Sequence, residues 1–82
     1  MKSDDLEIVF RANLLAVRKA KKMSQLSLAK IAKSTQNTIS ELERGEVSPT
    51  LRMIKKLCEA LQIDSDVLLT ESGCEIFLSA AA

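Results

Sequence analysis

The sequence predicts an all-α fold, and three observations carry that expectation. Glycine and proline are scarce: Gly45, Gly73 and Pro49 are the whole supply in 82 residues. Apolar residues recur at spacings of three and four, the period of an amphipathic helix. Ser, Thr or Asp stands ahead of each apolar stripe, where a helix N-cap is needed. Hydrophobic residues make up 46% of the chain, enough for a core and too many for a disordered chain. At this length one small domain is expected.

The first helix is expected at about residues 5–21. Ser3 is placed to cap it, and Asp4, Asp5 and Glu7 face the positive end of its dipole. Leu6, Phe10, Leu14 and Val17 make its apolar stripe. Lys19, Lys21 and Lys22 fill its last turn, where cations are favoured. Ser24 caps a second helix, opened by Gln25, that buries Leu28, Ala29, Ile31 and Ala32. Lys33-Ser34-Thr35 breaks it. Thr35 then caps a third helix with Ile39 and Leu42 inward and Gly45 as its stop. Helices of roughly eight residues are unstable alone and must pack on the first.

Ser48-Pro49 reads as the next start, a capping Ser followed by Pro at the first helical position. Leu51, Ile54, Leu57, Cys58 and Leu61 give the fourth helix a broad apolar face. Asp64 caps a fifth, running to about Thr70, with Val67, Leu68 and Leu69. The expected organisation is a domain over 1–70 and a short C-terminal tail, 71–82, that carries Ile76-Phe77-Leu78.

Composition argues against several functions. The chain has no His, which removes the commonest general base and the commonest metal ligand. Cys58 and Cys74 without His make a poor zinc site, so no metal and no cofactor are expected. The N-terminal residues are acidic where an export signal needs base, so a disulfide is not expected either. Cys58 reads as a small core residue and Cys74 as a free thiol in the tail. Phe10 and Phe77 are the only aromatics, too few for a surface that stacks single-stranded bases. The longest apolar run, Leu14 to Val17, cannot span a membrane, and a cytoplasmic protein is expected. Ser27-Leu28-Ala29-Lys30 fits the Ser-x-x-Lys pattern of penicillin-binding enzymes, but its companion motifs are missing. No enzyme is expected.

Charge is unevenly spread although the net is +1. Segment 11–56 holds eleven Lys and Arg against three Glu, a balance of +8. Segment 57–82 holds five acids and no base. A basic middle between acidic ends suits one face to a polyanion.

Two short helices joined by a tight turn describe a helix-turn-helix. Ser24-Gln25 with Leu28-Ala29, then Thr35-Gln36-Asn37-Thr38-Ile39-Ser40-Glu41-Leu42-Glu43-Arg44-Gly45, then Pro49-Thr50-Leu51, resembles the Cro/XRE family of lambda-repressor-like DNA-binding domains. The likeness covers about residues 6–70, with the helix-turn-helix at about 25–44. It implies a five-helix domain that lays its third helix, 36–43, in the major groove of double-stranded DNA.

Opposite Ile39 and Leu42 that helix presents Gln36, Asn37, Ser40 and Glu41, the candidate base readers. Gln and Asn each pair bidentately with adenine, Ser donates or accepts, and Glu can take a cytosine amino group. Phosphate contacts are expected from Gln25, Lys33, Thr35, Arg44, Thr50 and Arg52, at helix ends and in the turn. The resemblance also implies a structural salt bridge between Arg18 and Glu43. The chain departs from the family at Lys22 and Lys33, where Gly is frequent, and at Ser34, usually apolar. In the fifth helix Ser65 and Val67 reverse the usual order, which would expose Val67.

A domain this small touches few base pairs, so specificity calls for two copies. The expectation is a homodimer on a pseudo-palindromic operator with half-sites about 34 Å apart. Val67, Leu69 and Ile76 are the expected interface. No small-molecule effector is expected, and the chain reads as a phage-type repressor or restriction–modification controller protein. The alternative is an antitoxin-type protein that neutralises a toxin partner and regulates its own operon.

Overall fold

A computed structural model describes residues 3–81, which form six α-helices. They are α1 (Ser3–Ala20), α2 (Gln25–Ile31), α3 (Gln36–Arg44), α4 (Leu51–Leu61), α5 (Ser65–Leu69) and α6 (Glu71–Ala81). The long α1 meets α3, α5 and α6, while α2 packs on α3 and α4, and α4 on α5. Phe10, Leu14 and Val17 of α1 join Leu28, Ile39, Leu42, Leu57, Leu61 and Leu68 in one buried cluster. Burying these apolar side chains, each with about 1.5–3 kcal/mol of transfer free energy, is what holds such short helices.

Local chemistry sets most helix starts. Ser24 and Thr35 cap α2 and α3, their hydroxyls accepting from the Ser27 N–H at 3.0 Å and the Thr38 N–H at 3.1 Å. The start of α4 differs from expectation. Thr50, not Ser48, is its cap and accepts from the Met53 N–H at 3.1 Å, while Ser48 hydrogen-bonds Glu7. Pro49 therefore lies outside the helix, and its missing N–H costs nothing there. Asp64 precedes α5 in the capping conformation, without a side-chain cap bond.

Four helices end in one geometry. Lys22, Lys33, Gly45 and Gln62 all have left-handed backbones, with φ of 58°, 56°, 74° and 58°. After each, the chain folds back so that two successive N–H groups reach terminal carbonyls; Gly45 donates to Leu42 and Glu46 to Glu41. This is the Schellman arrangement. One of the four positions is glycine, although the left-handed region disfavours any other of these residues.

The C-terminal segment is a correction. Residues 71–81, expected as a tail, form α6, which packs on α1 and α5. Cys74 is a free thiol, as expected, but it is buried in α6 and not in a loose tail, and Lys21 of the α1–α2 turn lies 5.6 Å from the Phe77 ring centroid. Thr70 joins the two helices: its hydroxyl accepts from the Gly73 N–H at 2.9 Å.

Four apolar side chains also differ from expectation. Leu6 is exposed, and burial on the α1 stripe begins at Phe10. Ile31 is exposed because Leu28, Ala29 and Ala32 define the inward side of α2, whose centre lies about 100° round the helix from Ile31. Leu51, at the open start of α4, is 86% exposed. Val67 is buried at 9% instead of exposed, because α6 closes beside it.

Candidate nucleic-acid interface

The third helix separates two faces. Ile39 and Leu42 are fully buried, and Thr38 and Glu43 flank them. At 100° per residue Gln36, Ser40, Arg44, Asn37 and Glu41 follow one another over about 140° of the opposite side. Gln36, Asn37 and Arg44 are exposed, and Ser40 and Glu41 are half-buried. Four of these five side chains are uncharged or acidic; Arg44 is the cation among them.

The helix is aimed by a network behind it. Arg18 of α1 grips Glu43 with two prongs, Nε to Oε2 at 2.6 Å and Nη2 to Oε1 at 3.1 Å. Its Nη1 donates to the Met23 carbonyl at 2.8 Å. The Gln25 amide donates from Nε2 to Glu43 Oε1 at 2.9 Å. Glu43 therefore ties α3 to α1 and to the start of α2, and Arg18 is itself anchored on the α1–α2 turn. The pair is well enclosed, its side chains 12% and 6% exposed, so the charge-assisted bonds are little screened.

The structure separates the expected phosphate contacts into two groups. Lys33 and Arg52 are exposed, in the α2–α3 turn and the first turn of α4. Gln25, Thr35, Thr50 and Arg44 already have partners. Thr35 and Thr50 are caps, and Gln25 keeps one amide hydrogen beyond the one given to Glu43. Arg44 pairs with Glu46, Nε to Oε2 at 2.6 Å and Nη2 to Oε1 at 3.1 Å, and its Nη1 donates to Ser40. Hydrogen bonding to Glu46 raises the Arg44 guanidinium further, and the same bond holds the Glu46 carboxyl below its ordinary value.

A model of the helix-turn-helix family matches residues 14–68, two thirds of the chain, and covers the second part of α1, all of α2, α3 and α4, and α5 up to Leu68. The chain belongs to the Cro/XRE-type helix-turn-helix family. Comparison with curated proteins and with solved structures gives no match. As a family member it is a DNA-binding transcription regulator, and double-stranded DNA is its partner. Among the described residues, no helix is long and apolar enough to cross a membrane.

Three parts of this helix-turn-helix domain escaped the sequence reading. Asn13, 7% exposed, donates from Nδ2 to the Leu68 and Thr70 carbonyls at 3.1 and 2.9 Å. A polar residue in line with Phe10 and Val17 was the available signal. The Arg11 side chain lies over Gly45, at the end of α3. Glu46 has a signal too, since an acid two positions after a candidate DNA-contacting Arg invites a pair.

Of the expected interface residues, Ile76 is 72% exposed and Leu69 half-buried, whereas Val67 is inside the fold. Ile76 and Leu51 stand on the rim of an apolar groove of about 910 Å³ between α4, α5 and α6.

Proposed function

We propose that this regulator is sequence-specific, binding a pseudo-palindromic operator as a homodimer with α3 in the major groove, in the cytoplasm. Gln36 and Asn37 are its principal base readers, with Ser40 and Glu41 beside them. The observation that carries the reading is the polarity of α3: Ile39 and Leu42 seal one side while two amide side chains stand free in the first turn of the other. An amide offers the donor–acceptor pair that adenine N7 and N6 require. Lys33 and Arg52 lie in the elements on either side of α3 and suit phosphate contacts. The spare Gln25 amide hydrogen, at the start of α2, suits a third. The homodimer reading is supported by the groove rimmed by Leu51 and Ile76, whose apolar lining a second copy would cover.

Selection of bound sites from random duplex DNA tests this reading. Gln36→Ala and Asn37→Ala should each lose about 1–3 kcal/mol and relax the selected site at one position per half-site. Arg52→Ala should weaken all sequences alike and reduce the salt slope by about 0.9. Two reader variants that select the wild-type site with wild-type affinity would remove the assignment.

A further inference from the structure

We infer that Glu46 is a built-in phosphate surrogate that holds Arg44 in the free protein and thereby weakens its hold on the DNA backbone. This rests on the DNA-binding reading of α3.

The geometry carries the inference. Arg44 lies at the centre of the outward arc of α3, one turn beyond Ser40 and two turns beyond Asn37 on the same side, where the duplex would pass. A guanidinium there is the side chain best shaped to take a phosphate, through two parallel N–H groups. In the free protein that fork is full. The Nε and Nη2 edge grips both oxygens of Glu46, and Nη1 donates to Ser40. A carboxylate presents the same paired acceptors as a phosphate, so the two compete for one edge.

Nor is Glu46 a chance neighbour. Gly45 turns the chain left-handed at φ 74°, and the Glu46 N–H is tied to the Glu41 carbonyl at 2.9 Å. The helix terminus thus fixes the Glu46 backbone beside the last turn, and its side chain reaches Arg44 without a long loop to order. Both side chains are about half exposed, at 52% each, so the pair opens readily when a phosphate arrives. Exposed pairs of this kind shift an equilibrium by about two- to five-fold. That is enough to moderate affinity and too little to prevent binding. Releasing Arg44 also frees the Ser40 hydroxyl, so phosphate contact and exposure of a candidate reader are coupled.

The test uses a labelled duplex of random sequence and four proteins: wild type, Glu46→Gln, Arg44→Ala and the double variant. Glu46→Gln keeps the backbone and the side-chain shape and removes the charge. It should bind two- to five-fold tighter than wild type, with a salt slope steeper by up to about 0.9. In the Arg44→Ala background the same substitution should give no gain. An unchanged or weaker Glu46→Gln protein overturns the inference, since Glu46 would then be idle or would hold Arg44 ready for the phosphate. A gain that persists without Arg44 also overturns it, by assigning the effect to general repulsion. Wild-type protein that fails to bind the duplex at all would instead sink the DNA reading beneath.

Discussion

Gly73 faces the Asp66 carbonyl so closely that a Cβ on it would stand 2.4 Å from the oxygen. This approach is what lets α6 lie against α5, and the Asp66 carbonyl is at the same time bonded by the Thr70 N–H at 3.0 Å and the Thr70 hydroxyl at 2.9 Å. Neither partner can yield, because the oxygen belongs to backbone that two bonds already hold. Gly73→Ala should destabilise the protein by about 1–3 kcal/mol, the usual cost of forcing an atom into a packed contact. Chemical unfolding would read it. An alanine variant as stable as wild type would mean that α6 is not docked as described.

Asn13 closes the other side of the same corner. Its amide satisfies two carbonyls that end α5, at Leu68 and Thr70, from a position inside α1. Asn13→Ala leaves the buried Leu68 carbonyl without a partner and the Thr70 carbonyl with only the Cys74 N–H at 3.3 Å, and a loss of about 2 kcal/mol is expected. Asn13→Leu should do no better, because added apolar volume does not satisfy a carbonyl. Urea titration of the two variants separates this from a packing role, in which leucine would restore stability.

Removing one partner of the enclosed Arg18–Glu43 pair strands the other. Arg18→Ala and Glu43→Ala should each cost about 3 kcal/mol. Both should also weaken DNA binding at temperatures where the variant is fully folded, because Glu43 aims α3. The joint variant should lose less than the sum of the two, and strict additivity would show that the charges do not depend on each other.

The left-handed helix ends give a prediction of opposite sign. Lys22→Gly, Lys33→Gly and Gln62→Gly should each raise stability by up to about 1 kcal/mol, relief of conformational strain outweighing the added freedom of the unfolded chain. Gly45→Ala should lower it, since the new Cβ would carry the unfavourable φ of 74°, whereas the Arg11 side chain over it is flexible and moves aside at little cost. Melting temperatures of the four variants decide the matter. For Lys33→Gly, a further readout is a shallower salt dependence of DNA binding, if that lysine reaches the phosphates.

Burial pushes both thiols above their ordinary value. For Cys58 the carboxylates of Asp64, Asp66 and Glu59 add to it, and for Cys74 that of Glu75 does. The folded protein therefore keeps these protons after the unfolded chain has released them. Their contribution to stability is complete below the ordinary thiol range and falls as pH rises through the raised values. Ultraviolet titration of thiolate should run later in the folded protein than in urea, and coincident curves would refute the shift.

The helix order α1 to α5, the capping roles of Ser24 and Thr35 and the stop at Gly45 were legible in the chain because each is settled within one turn of backbone. A hydroxyl reaches an N–H three residues on, and a glycine relieves its own φ. The outward grouping of Gln36, Asn37, Ser40 and Glu41 follows from helical periodicity once Ile39 and Leu42 are placed inside. Relations between distant residues were not legible in this way. Asn13 with the end of α5 and Arg11 over Gly45 join residues far apart in sequence, and Gly73 against Asp66 depends on the angle between two successive helices. The short step from Arg44 to Glu46 depends in turn on how the helix terminus turns the chain. Residues 71–81 have a weakly patterned helix whose burial is created by its neighbours, so only the packed fold decides that Cys74 and Val67 are inside while Leu51 and Ile76 remain outside. Local hydrogen bonding and periodicity act along the chain and can be read from it; the choice of which apolar faces meet is made by the whole core at once.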